Sequence, residues 1–205
     1  MTFVLFLIAS LVCVSAFVPG ARVSRGSSNL MMAKKEGSSA SLPFMSQPNA
    51  ITGMAGDVGF DPAGFSNWID VRWLREAELK HARVCMLAVV GFVFSEFFQL
   101  PGDIHHVSPA AAHDVAVRDG AFGQVFLWTG IIELLSAKAI NQMLEGSGRQ
   151  PGDYGFDPLK LSNGKSDAIK DDFAIKELRN GRLAMMAFSG IVTQAVLTGK
   201  GFPYV

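Results

Sequence analysis

The chain is short of charge, short of cysteine and without an excess of either sign. Of its 205 residues only 18% are charged against 49% hydrophobic, and 18 Lys plus Arg balance 18 Asp plus Glu. A balance this even, with no basic stripe, leaves no footprint for nucleic acid. The positive mean hydropathy is that of a small membrane protein rather than a soluble domain. Cysteine occurs only at Cys13 and Cys85. With Cys13 in a leader that is removed, an intramolecular disulfide is excluded, and Cys85 is expected as a buried thiol within an apolar helical run.

Residues 1–16 form an apolar stretch ending in Val14-Ser15-Ala16. It is too short to span a membrane and suits a signal peptide. Residues 17–32 begin Phe17-Val18-Pro19 and carry Arg22, Arg25 and serines but no acidic residue, the composition of a transit peptide. This two-part leader resembles the import signals of plastids acquired by secondary endosymbiosis, and leaves residues 33–205 as one mature domain.

A motif then occurs twice. Glu78-Leu79-Lys80-His81-Ala82-Arg83 matches Glu177-Leu178-Arg179-Asn180-Gly181-Arg182 without a gap, and each opens an apolar run. Upstream, Gly59-Phe60-Asp61-Pro62 precedes the first as Gly155-Phe156-Asp157-Pro158 precedes the second. One unit is a turn plus a helix, used twice. Residues 79–98, 121–140 and 183–198 read as three membrane-spanning helices, the third extended backwards from Asp172. Residues 103–120 and 145–171, rich in Gly, Pro and Asp, read as connecting loops, and no strand is expected.

On a helix, Glu78 and His81 lie about 60° apart on one face, while Arg83 points about 140° from Glu78. Neither Glu of the repeat can easily pair with its own Arg. If the two helices cross about an approximate two-fold axis, Glu78 meets Arg182 and Glu177 meets Arg83, so that charges held deep in a membrane are neutralised. Ala82, Gly91, Gly181 and Gly190 supply the small side chains that close crossing needs. A purely structural ion-pair clasp leaves His81 and Asn180 unexplained. They occupy equivalent positions, each with one lone pair on an otherwise apolar face, which suits the axial position of a magnesium porphyrin-type pigment. Gln194, fourteen residues after Asn180, repeats the pattern, with a helix-helix hydrogen bond as its other reading. Glu78 and Glu177 can each place one oxygen on a magnesium and the other on the partner Arg.

At these residues the chain resembles the chlorophyll-binding light-harvesting antenna family, in particular its red-lineage fucoxanthin chlorophyll a/c-binding type, over residues 56–204. The resemblance implies an all-α membrane protein of three transmembrane helices, the first and third crossed about a pseudo-two-fold axis, with short amphipathic segments in the loops. It implies that Glu78, His81, Glu177, Asn180 and Gln194 ligate the magnesium of chlorophyll a or chlorophyll c, and that Arg83 and Arg182 complete the two pairs. Glu133 of the middle helix matches a further ligand, Gln124 is a second candidate there, and Gly91 fits a carbonyl that holds a pigment through water. Carotenoids of the fucoxanthin, diadinoxanthin or alloxanthin type are expected in the grooves of the crossed helices. The implied role is non-enzymatic, with no catalytic residue: light is absorbed and its excitation passed to a photosystem core, photosystem I favoured, among neighbouring antenna proteins and lipids of the plastid thylakoid membrane. A photoprotective, quenching role in the same family stays open. A di-iron carboxylate protein, which shares the Glu-x-x-His signature, is the remote alternative.

Overall fold

The computed structural model describes residues 37, 39–48, 54–102, 105–162 and 164–204. The leader expected over residues 1–32 lies outside them. The chain divides into two compact units, Met1–Val71 and Arg72–Val205. Regular structure is helical: a 3-10 turn at Phe65–Asn67, then α1 (Val71–Phe97), α2 (Pro109–Arg118), α3 (Ala121–Leu144) and α4 (Asp167–Thr198), with no strand among the described residues.

Two differences from the sequence reading have local causes. Residues 103–120 are not all loop, because Ser108 is extended (φ −60°, ψ 145°) and Pro109 follows it as the first helical residue of α2. Proline costs nothing there, since its missing N–H has no partner in a first turn. Likewise α4 begins at Asp167 rather than near Asp172, behind an extended Ser166 (φ −65°, ψ 154°) with Asp167 in the first turn. It stops at Gly199, whose φ of 63° is left-handed and whose N–H closes on the Ala195 carbonyl. Cys85 is half-buried rather than buried.

Among the described residues no single helix is both long and apolar enough, by length and composition, to cross a membrane. α2 and α3, bent by 92° at their junction, meet that criterion together. Lys80, Arg83 and Glu96 interrupt the apolar part of α1, and Gln194 dilutes α4.

The repeated turn is a repeat in three dimensions. In the first unit, Asp57 Oδ1 accepts the Gly59 N–H at 2.7 Å, and Asp61 accepts the N–H groups of Phe65 at 3.0 Å and Ser66 at 2.9 Å. In the second, Asp153 Oδ1 accepts the Gly155 N–H at 2.9 Å, and Asp157 accepts those of Leu161 at 3.0 Å and Ser162 at 2.9 Å. Gly59 and Gly155 share a left-handed backbone (φ 68° and 66°). Gly64 (φ 70°) corresponds to Lys160, which takes φ 51° despite its side chain. Hydrogen bonds to the carboxylates, led by the hydroxyls of Ser66 and Ser162, hold Asp61 and Asp157 below the ordinary aspartate range.

Within the second unit few side chains are fully buried, chiefly Leu79, Ala82, Met143, Leu178, Ala184 and Ala195. Large apolar residues face outward instead, with Phe126 81% and Leu197 80% exposed. Helices this apolar and this open are not a finished core for water.

Candidate functional site

The site lies where α1 meets α4. Ala82 and Gly181, equivalent positions of the repeat, touch: a Cβ on Gly181 would stand 2.3 Å from the Ala82 Cβ and 3.3 Å from its Cα. An axis that brings a residue against its own equivalent is a local two-fold, and Leu79 and Leu178 are buried on either side of it.

Reciprocal ion pairs follow from that symmetry. Arg83 Nε donates to Glu177 Oε1 at 2.7 Å, and Arg182 Nε donates to Glu78 Oε1 at 2.7 Å. Arg83 Nη1 also donates to the Gly152 carbonyl at 2.9 Å, fastening the second turn to α1. That approach suits glycine, because residue 152 takes φ 81° and a Cβ there would fall 2.5 Å from Leu79 Cδ1. Arg75, one turn before Glu78, reaches Glu78 Oε2 at 3.2 Å. Each carboxylate faces cations rather than other carboxylates. Among the described residues no group of three or more His, Cys, Asp or Glu is placed to hold a bare metal ion.

His81 is exposed, and its Nδ1 sits 2.7 Å from the Ala77 carbonyl one turn back. A carbonyl only accepts, so in the neutral ring Nδ1 carries the hydrogen and Nε2 keeps its lone pair, directed away from that carbonyl. Asn180, its equivalent, is exposed on α4, as is Gln194 further along the same helix. Gly91 lies on α1 with nothing within 4 Å of where its Cβ would be. Gln124 and Glu133 are both exposed on α3 but nine residues apart, about half a turn out of phase, so the helix does not bring them to one face.

Three features had no signal in the motif. Lys80 Nζ donates to Glu133 Oε2 at 2.6 Å and to Ser136 Oγ at 2.7 Å, joining α1 to α3. At the start of α1, Glu76 is only 2% exposed; it accepts the Gly152 N–H at 2.6 Å and the Tyr154 hydroxyl, with Arg149 at 3.4 Å. At the far end, Glu96 accepts the Phe202 N–H and, at 3.1 Å, the Tyr204 hydroxyl. The two grips share one pattern, a backbone N–H and the hydroxyl of a tyrosine two residues later.

Burial, helped by the neighbouring carboxylate, pushes the Tyr154 and Tyr204 hydroxyls up from 10.0 to about 12. A raised phenol favours the folded state while it is protonated. The stabilisation is whole below pH 10 and drains away as pH rises toward 12. Between pH 10 and 12 the unfolding free energy, read from denaturant titrations followed by circular dichroism, is expected to fall steeply in the wild type and less in a Tyr154→Phe, Tyr204→Phe double variant, which has no proton to lose at either position. Equal falls in the two proteins would refute the assignment.

Two equivalent helices crossed through reciprocal carboxylate-guanidinium pairs define a class of helical protein built on an internal repeat. Comparison with known proteins makes that class specific. The family described as chlorophyll A-B binding protein matches residues 47–196. A chloroplastic fucoxanthin-chlorophyll a-c binding protein of Chattonella marina var. antiqua is 36% identical over 148 residues, 69% of this chain and 66% of its own length. The chloroplastic light-harvesting complex stress-related protein 1 of Chlamydomonas reinhardtii is 35% identical over 155 residues, 67% of this chain and 60% of its own. Photosystem I chlorophyll a/b-binding protein 5 of Arabidopsis thaliana is 32% identical over 183 residues, 78% and 71% respectively. The match thus spans 66% and 60% of the first two relatives, less than two thirds of each. The chain belongs to the chlorophyll a/b-binding protein family.

Proposed function

We propose that the protein is a light-harvesting antenna of the plastid thylakoid membrane that binds chlorophylls a and c and carotenoids and passes excitation to a photosystem core, photosystem I favoured. The observation that carries this reading is the crossing itself. Arg83 and Arg182 each occupy one oxygen of the opposite glutamate, and His81, beside Glu78, turns an unprotonated nitrogen outward from an apolar helix. Chlorophyll, when bound, would supply the absorbing ring system and a magnesium that these side chains would hold.

This donor set fits such a group. His81, Asn180 and Gln194 would offer one nitrogen or oxygen each and Glu133 and Glu177 the oxygen that their cation leaves, while Glu78, with Oε1 on Arg182 and Oε2 3.2 Å from Arg75, would ligate by displacing Arg75; the paired cations remove the net charge that a carboxylate would otherwise bring into an apolar site. Gly91 and Gln124 are secondary candidates. The outward apolar side chains of α3 and α4 are matched by lipid tails, pigment rings and carotenoid chains, with α1, α3 and α4 as the three spans and α2 along the interface. The polypeptide fixes distance and orientation and moves no proton.

Purification from thylakoids in mild detergent, followed by pigment extraction, is the test. Chlorophyll a, chlorophyll c and a xanthophyll are expected to elute with the folded chain, and a folded chain free of pigment would defeat the reading. The relation to a stress-related protein gives the quenching alternative its footing. A fluorescence lifetime of the isolated complex close to that of free chlorophyll supports harvesting, and a strongly shortened one supports quenching.

A further inference from the structure

We infer that Lys80 is the positioning residue for a pigment site at Glu133, doing from α1 for the middle helix what the two arginines do for each other's helices. The inference rests on the antenna reading above.

Three glutamates project from the helices toward an apolar surround, and each has one oxygen held by a cation on a different helix. For Glu177 and Glu78 the cations are Arg83 and Arg182, both at 2.7 Å. For Glu133 the cation is Lys80, at 2.6 Å from Oε2. α3 cannot supply its own, since its one basic residue, Lys138, is five positions on and about 140° around the helix.

Lysine suits the place because its ammonium is a compact charge with three donors that spread over several acceptors. Here it bonds Glu133 and the buried hydroxyl of Ser136, 2.7 Å away. Ser136 in turn donates to the Glu133 carbonyl at 3.0 Å. The cluster fixes one face of the carboxylate. Oε1 has no hydrogen-bond partner among the described residues, and the Glu133 side chain is 62% exposed while Lys80 is 25% exposed. A charge lodged inward with its carboxylate turned outward is the arrangement that presents one oxygen as a ligand and cancels its charge from behind. Position 80 therefore belongs to the pigment site through Glu133, which its ammonium holds.

The test is reconstitution of the full chain with chlorophylls and xanthophylls, with chlorophyll counted per polypeptide and helix content followed by circular dichroism. Lys80→Met is expected to lose one chlorophyll and Lys80→Arg to lose none. Glu133→Leu combined with Lys80→Met should lose the same single chlorophyll, not two. The decisive variant is Lys80→Met with Glu133→Gln: a neutral amide offers its oxygen without needing a cation, so the lost chlorophyll returns. A wild-type count in Lys80→Met, or a double variant as depleted as the single one, overturns the inference. Should Lys80→Met lose helix content, Lys80→Gln takes its place, and unfolding there as well assigns Lys80 to structure alone and overturns it. A wild-type chain that takes up no pigment defeats the antenna reading itself, which separates the two failures.

Discussion

Arg83→Leu is expected to strip more chlorophyll from the protein than His81→Ala, although His81 is the one with an outward-facing lone pair. The leucine variant leaves Glu177 on α4 without its cation and releases the Gly152 carbonyl, both held by the one guanidinium. In water such a pair, about a third exposed on each side, is worth at most ~1 kcal/mol. In hydrocarbon a charged side chain near a helix centre costs about 2.5–3.5 kcal/mol, and in the proposed antenna that penalty would fall on the site at Glu177. The alanine variant removes one axial donor and leaves both pairs intact, so it should lose a single chlorophyll. Counting chlorophyll per polypeptide after reconstitution decides between them. The crossed-pair account fails if Arg83→Leu keeps its full pigment content, or if His81→Ala collapses the fold while Arg83→Leu does not.

Gly181→Ala should be the more damaging of two very small changes at the crossing. Its new methyl would stand 2.3 Å from the Ala82 Cβ, so α1 and α4 must part by more than an ångström and both 2.7 Å pairs stretch together. Overpacking alone costs about 1–3 kcal/mol. Symmetry supplies the control: Ala82→Gly combined with Gly181→Ala exchanges the two residues across the local axis and should restore most of the loss. Melting of the pigment-loaded protein is the readout. If the exchanged protein melts as low as Gly181→Ala alone, the contact does not lie on the axis, and the equivalence of the two helices is wrong.

What could be read from the sequence was whatever depends on helix geometry and the repeat alone. Glu78 with Arg182 and Glu177 with Arg83 follow from spacing, because the five-residue offset sends each Arg away from its own Glu and the duplication supplies the only symmetric answer. The small residues at positions 82 and 181 follow in the same way. The Lys80 bridge was not legible, since it depends on where α3 stands beside α1, and no periodicity in either helix encodes that. Glu76 was missed for a related reason: its partners Arg149, Gly152 and Tyr154 sit in a turn whose course past α1 is set by packing. α2 was hidden by composition, a proline that opens a helix reading at first sight like one that breaks it.

Glu76 and Glu96 grip the chain at the two ends of α1, each through a backbone N–H and a tyrosine hydroxyl. Twenty positions separate them (96 − 76 = 20), which on a helix is about 30 Å. The rod is gauged at both ends, so its length is fixed to the residue. Inserting or deleting a single amino acid between the two would swing one grip by about 100° relative to the other and could not be absorbed by a neighbouring loop. Along this stretch positions away from the crossing can change side chain, but the reading length cannot change by a single residue.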